Sequence, residues 1–177
     1  PSGLAVDTDL RWHLVTNLAR LGAVDAEAIE AELALDPTAQ GAERAAGARA
    51  ALPSAEAKAE AWRLATADDD VANETHFQIT TNFWQFGAEG VLAPYLDAYR
   101  QVVEAISAGR DGWAEKSSAL RQHVLGLLFP RTLIDRTTLA KLDAWLDSVT
   151  LTDAVARQVL ERRDDAERAL RCQEAFR

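Results

Sequence analysis

An all-α fold, with antiparallel helix pairs stacked into a HEAT/armadillo-like superhelical array, is predicted by three features of the sequence. Apolar residues recur at three- and four-residue spacing through most of the chain, as one face of a helix requires. No segment shows the strict alternation or the Asn-Gly turns of a sheet protein. Helix pairs are expected to begin near residues 9, 38, 73 and 113, a loose period close to that of helical-repeat families. Each pair carries apolar positions that its own sequence cannot cover, so stacking neighbours into a curved array is the expected solution. A closed bundle, with every helix meeting in one core, is the alternative architecture. The 177 residues fit a single helical-repeat domain, residues 1–177.

Taken in order, Asp9 is placed to cap a first helix with Leu10, Leu14, Leu18 and Leu21 on its core face and Gly22 just past its end. Asp25 caps a second helix with Ile29 and Leu33 inward, and Asp36-Pro37 stops it, because the residue before proline leaves the helical region. The short connection makes these two antiparallel. Thr38 starts an alanine-rich helix whose small side chains allow a neighbouring backbone close. Pro53-Ser54 ends it and opens the next, with Ser54 as cap and Ala57, Ala61, Trp62 and Leu64 as its buried side. The stretch Asn73 to Ala108 holds six of the twelve aromatic residues and reads as an interior helical hairpin. Its first half sets Ile79, Phe83 and Phe86 on one face and Phe77 and Trp84 on another, with Asn73 as cap; its second half carries Leu92, Tyr95, Leu96, Tyr99, Val102, Val103 and Ile106 in one stripe. Gly87 and Gly90 mark the join, and Pro94 suits a first helical turn. Beyond the turn at Gly109 to Gly112, Leu120, Val124, Leu127 and Leu128 define a helix ending at Phe129-Pro130; Leu139, Leu142, Leu146 and Val149 define its partner. Thr152 caps a long last helix with Val155, Val159, Ala166 and Leu170 inside and a Glu167–Arg171 pair outside.

Composition narrows the function. With 48% hydrophobic and 27% charged residues the chain reads as a globular protein, and no apolar run approaches the ~20 residues of a membrane span. A net charge of -9 argues against a nucleic-acid binder, which needs a basic stripe. The single Cys172 rules out an internal disulfide and points to a reducing cytoplasm. The chain opens at Pro1 and contains no Met, so a piece of a longer polypeptide is expected. His13, His76 and His123 stand apart, with no HExxH spacing, and the Asp68-Asp69-Asp70 run lacks the glycine and closing Glu of a calcium loop. No catalytic residue, cofactor-binding residue or metal ligand is assigned within the chain. Glu74 is read as a first-turn acid of its helix and not as a catalyst.

The run from Asp7 to Ala65, DTDLRWHLVTNLARLGAVDAEAIEAELALDPTAQGAERAAGARAALPSAEAKAEAWRLA, together with VLAPYLDAYRQVV, LLFPRTLIDRTTLAKLDAWL and RRDDAERALR, resembles the C-terminal helical domain of M1-family zinc aminopeptidases of the bacterial aminopeptidase N type, with an ERAP-like C-terminal domain. The resemblance covers nearly the whole chain. It implies a superhelical stack of helix pairs, and it implies that the catalytic machinery lies in an N-terminal catalytic domain of the same polypeptide. The family's HExxH zinc site and its Gly-x-Met-Glu-Asn amine-binding segment are both missing here. Zinc and the removal of N-terminal residues from peptide substrates are thus expected of the longer enzyme, with this domain capping the catalytic domain and limiting access to an enclosed chamber. Gln78, Asn82, Trp84, Gln85 and Arg131 are the candidate residues lining that chamber; Trp84 also reads as core and Arg131 as a loop cation. A free-standing helical scaffold that binds a peptide or protein is the other reading open at this point.

Overall fold

The computed structural model describes residues 6–176. Helices and their connections account for the described residues, with no strand among them. The chain divides into two compact units, one ending at Val91 and the other beginning at Leu92.

The first unit contains α1 (Thr8–Arg20), α2 (Ala26–Leu35), α3 (Ala39–Ala51), α4 (Ala55–Thr66) and α5 (Asn73–Phe83). Side chains of Asp25, Thr38 and Ser54 each accept a hydrogen bond from the backbone N–H three residues on, as their sequence positions predict. Helix α3 is the hub, packed against α1, α2, α4 and α5. Its Gly41, Ala45, Gly47, Ala48, Ala50 and Ala51 are buried, so the alanine-rich composition does bring neighbouring backbones close. The pairing is antiparallel where the connections are short. Arg11 and Trp12 near the start of α1 reach Glu32 and Asp36 at the end of α2, and the His76 ring nitrogen near the start of α5 lies 2.9 Å from the Ala65 carbonyl near the end of α4. Arg44 pairs with Asp9, and Gly47 meets Gln78 and Asn82, which sets α1, α3 and α5 parallel to one another in one layer. The core around α1 to α3 is Trp12, Ala19, Ile29, Ala45 and Ala48, with Val15, Val24, Leu33 and Leu52 against it.

The join carries the four-residue α6 (Glu89–Leu92), and the second unit contains α7 (Tyr95–Ala108), α8 (Ser118–Leu127), a 3-10 turn at Arg131–Leu133, α9 (Arg136–Ser148) and α10 (Asp153–Ala175). Here α10 is the hub, packed on α7, α8 and α9. The buried Tyr99 hydroxyl donates to the Leu125 carbonyl at 2.7 Å, and its ring meets Phe129 edge-on. Trp145 Nε1 donates to Glu104 at 2.8 Å, tying α9 to α7. Gly109 closes α7 in the left-handed region at φ 64°, where glycine is unstrained.

Several expectations are corrected. Asp7, not Asp9, caps α1, accepting from Leu10 N at 2.8 Å. The inward face of α1 is Trp12, Val15 and Ala19, while Leu14, Leu18 and Leu21 are exposed: α1 carries two apolar rows, and α2 and α3 cover the one that holds the indole. Asn73 is already inside α5, whose cap position is Ala72 with no side-chain hydrogen bond. Helix α5 ends at Phe83 because Trp84 turns extended (ψ 115°), so the helical spacing carried on to Phe86 fails and that ring is exposed. The two halves of the expected hairpin belong to different units. Thr152 occupies the cap position of α10 without a side-chain hydrogen bond. Glu167 pairs back to Arg163, which also holds Asp143 of α9 at 2.7 Å, a bidentate partner on a second helix being the stronger anchor.

Candidate functional site

Polar side chains collect on one side of the α1/α3/α5 layer, around a cleft of about 440 Å³. Helix α1 supplies Asp9, His13, Thr16, Asn17 and Arg20, spaced as one polar row; α3 supplies Arg44; α5 supplies Gln78 and Asn82, with Gln85 just past its end. Trp12 forms part of the floor.

The local sequence sets these groups in place. Gly47 lets α3 approach α5 so closely that a Cβ there would lie 3.0 Å from Asn82 Nδ2 and 3.3 Å from Gln78 Cβ. The α5 carboxamides are held by their own helix: Gln78 donates to Glu74 at 3.0 Å, Asn82 to the Gln78 carbonyl at 2.9 Å, and Gln85 to the Asn82 carbonyl at 2.7 Å. Asn17 donates to the His13 carbonyl at 2.8 Å. Across the layer, Arg44 and Asp9 form an ion pair at 2.7 Å. The Trp12 indole N–H donates to Asp36 at 2.8 Å, and the Thr38 hydroxyl donates to the same carboxylate at 2.8 Å. These two bonds hold the Asp36 carboxyl below its ordinary range.

Three of the five residues singled out in the sequence, Gln78, Asn82 and Gln85, thus meet in one cleft. Trp84 does not join them. It is 1% exposed and packs edge-on against Phe83 in the core. Arg131 lies on the 3-10 turn of the second unit and is exposed. The α1 row and Arg44 were missed, although the spacing of Asp9, His13, Thr16 and Arg20 is a helical stripe as legible as any apolar one.

The chemistry available here is recognition. Carboxamides, a hydroxyl, guanidinium groups and an imidazole can donate to and accept from peptide groups. Among the described residues no three His, Cys, Asp or Glu side chains gather where they could hold a metal ion, so the side chains present do not fit the zinc of the resembled family. His76 is fully buried, its ring nitrogen engaged by the Ala65 carbonyl, and the Asp68 carboxylate accepts from Asp70 N and Arg63 as a turn does.

Comparison with known proteins adds two findings. A family model described as the ERAP1-like C-terminal domain matches residues 1–168. Aminopeptidase N of Streptomyces lividans is 39% identical over 173 residues, 98% of this chain and 20% of that protein, so the chain spans about a fifth of the length of this relative.

Proposed function

The chain belongs to the ERAP1-like C-terminal domain family, and from that premise we propose that it is the accessory C-terminal domain of an M1-family, zinc-dependent aminopeptidase of the aminopeptidase N type. In this proposal the longer polypeptide removes N-terminal residues from peptides, its zinc held by its own N-terminal catalytic domain. The present domain caps that catalytic domain and limits which peptides enter the enclosed chamber. The exposed Cys172 suits a reducing compartment, the cytoplasm in this reading.

The observation that carries the chamber role is the cleft of unit one. Its lining is polar and hydrogen-bonding and is built on three packed helices, which is what contact with an extended peptide backbone calls for. Gln78, Asn82 and Gln85 are the lining residues this reading depends on. Arg131 is a further candidate in the other unit, and Trp84 supports the α5 end from the core. In this reading the domain takes no part in bond cleavage.

The test is made in the longer polypeptide. Gln78→Ala, Asn82→Ala and Gln85→Ala should each shift the preference between short and long peptides by about fivefold, the worth of roughly one hydrogen bond, with turnover of a small amino-acid amide little changed. Equal loss on both substrates would mean that the variants act through unfolding, and unchanged preference in all three would refute the lining role.

A further inference from the structure

We propose that a cavity between α3 and α4 of the first unit is a binding site for a small apolar primary amine, separate from the polar cleft and not resting on the function proposed above. The cavity measures about 360 Å³, within the range of small-molecule sites. Ala46 and Ala50 of α3, Ala57, Ala61 and Leu64 of α4 and Ile79 of α5 line it. The four alanines present only a methyl each, so the two helices leave between them the space that longer side chains would fill. Ala50, Ala61 and Ile79 are buried at its floor, while Ala46, Ala57 and Leu64 are half-buried toward its mouth. At about 100° per residue, Ala46 and Ala50 lie on the side of α3 turned away from Arg44, which lines the cleft. The two sites thus sit on opposite sides of one helix and share no lining residue.

Charge at the mouth selects the head group. On α4, Glu56 and Glu60 stand one turn apart along the same edge of the cavity, and both are exposed. Glu60 is held by Arg63 through two hydrogen bonds of 2.9 Å, whereas Glu56 makes no ion pair among the described residues. Arg49, the cation among the lining residues, is already engaged: its Nε and Nη2 donate to Glu30 at 2.8 and 2.5 Å. The first turns of α2 and α4, which border the cavity at Ala26 and Glu56, are capped by the side chains of Asp25 and Ser54, which offsets the pull of their positive ends on an anion. An incoming molecule therefore meets an apolar floor, one carboxylate without a partner and a second beside it. An ammonium on a short apolar body is complementary to that arrangement, and an anion of the same shape is repelled by it.

The probe is phenethylamine, with its anionic counterpart hydrocinnamate as control, titrated into the 177-residue chain carrying isotope-labelled alanine methyl groups and read by NMR. Ring-current shifts should appear at Ala46, Ala57 and Ala61 and saturate with a Kd on the order of 1 mM. Hydrocinnamate should bind about fivefold more weakly, and Glu56→Gln should weaken phenethylamine about threefold without weakening hydrocinnamate. Ala57→Leu should fill the cavity and weaken phenethylamine by more than about tenfold, with a thermal unfolding midpoint no lower than the parent's. If that variant is destabilised, Ala46→Leu, which fills the cavity from the other helix, takes its place. No saturable shift up to about ten times the expected Kd overturns the site. Equal shifts at alanines of the second unit such as Ala156, or amine binding that survives both filling variants, overturn it as well. Hydrocinnamate bound as tightly as the amine overturns the charge preference and the proposal with it. None of these readouts uses peptide hydrolysis, so they succeed or fail separately from the function proposed above.

Discussion

Lys58 is the residue whose role the chain hides best. Four residues into an alanine-rich helix it reads as a solvated cation, yet it is fully buried. Its Nζ donates to the Ala50 carbonyl at 2.6 Å and the Phe83 carbonyl at 2.7 Å, and it lies 5.3 Å from the centre of the Phe83 ring. Both carbonyls sit at helix C-terminal ends, where the backbone dipoles favour a cation. One side chain thereby ties α4 to the ends of α3 and α5. Burial pulls the amine down to about 7 from its ordinary 10.5. The unfolded chain therefore holds this proton at pH values where the folded chain has released it. Stability should rise as pH climbs from about 7 to 10.5, by up to about 1.4 kcal/mol per pH unit, and the contribution should be flat outside that window. Lys58→Met should lack this rise. Because it also strips the donor from two buried carbonyls, it should be less stable than the parent by about 2 kcal/mol near pH 9, with the gap narrowing toward pH 7. Urea unfolding at several pH values measures both, and a parallel pH dependence in the two proteins would contradict the assignment.

Elements were legible where one apolar stripe competes with nothing. Helix α7 has a single such stripe, and Tyr99, Val102, Val103 and Ile106 are buried as their spacing predicts. Helix α1 has two, and periodicity alone cannot say which one its neighbours cover. The choice was made by α2 and α3, through the Trp12–Asp36 bond and the packing of Ala19, and that information lies tens of residues away. The α5 side chains of the cleft stand out in the sequence because Gln78, Asn82 and Gln85 interrupt an aromatic run, whereas the α1 row looks like an ordinary solvated face. The cap at Asp7 gives a direct check. Asp7→Ala should lower stability by about 1 kcal/mol. Asp9→Ala, which removes only an exposed partner of Arg44, should change it by less than about 0.5 kcal/mol. Thermal unfolding of the two variants ranks them, and the opposite order would return the cap to Asp9. Helix approach is tested the same way. A Cβ at Gly41 would lie 2.1 Å from the Asp36 carbonyl oxygen, a backbone atom with little room to yield, while one at Gly47 meets mainly the side chains of Asn82 and Gln78. Gly41→Ala should therefore cost about 3 kcal/mol and Gly47→Ala about 1 kcal/mol, the second with a visible change in the cleft.

At the scale of the whole molecule, the question is whether anything in these residues could carry out hydrolysis without help. Cleaving a peptide from its N-terminus by the metal route needs a bound ion that activates water and an anchor for the free amine. Among the described residues no cluster of three ligating side chains occurs, and the polar cleft holds its groups in hydrogen bonds within its own helices and across the α1/α3/α5 layer. In the proposed role the packed helices of the first unit hold a peptide while another domain acts on it. The 177-residue chain should accordingly release no residue from a peptide or an amino-acid amide, with or without added zinc, and dialysis against zinc should leave less than one ion per chain, read by atomic absorption. On the proposed function, the longer polypeptide should release N-terminal residues and retain zinc through the same dialysis. Turnover by the purified 177-residue chain, proportional to its concentration and lost on unfolding, would mean that the cleft on α1, α3 and α5 is an active site in its own right, and the accessory role would have to be given up.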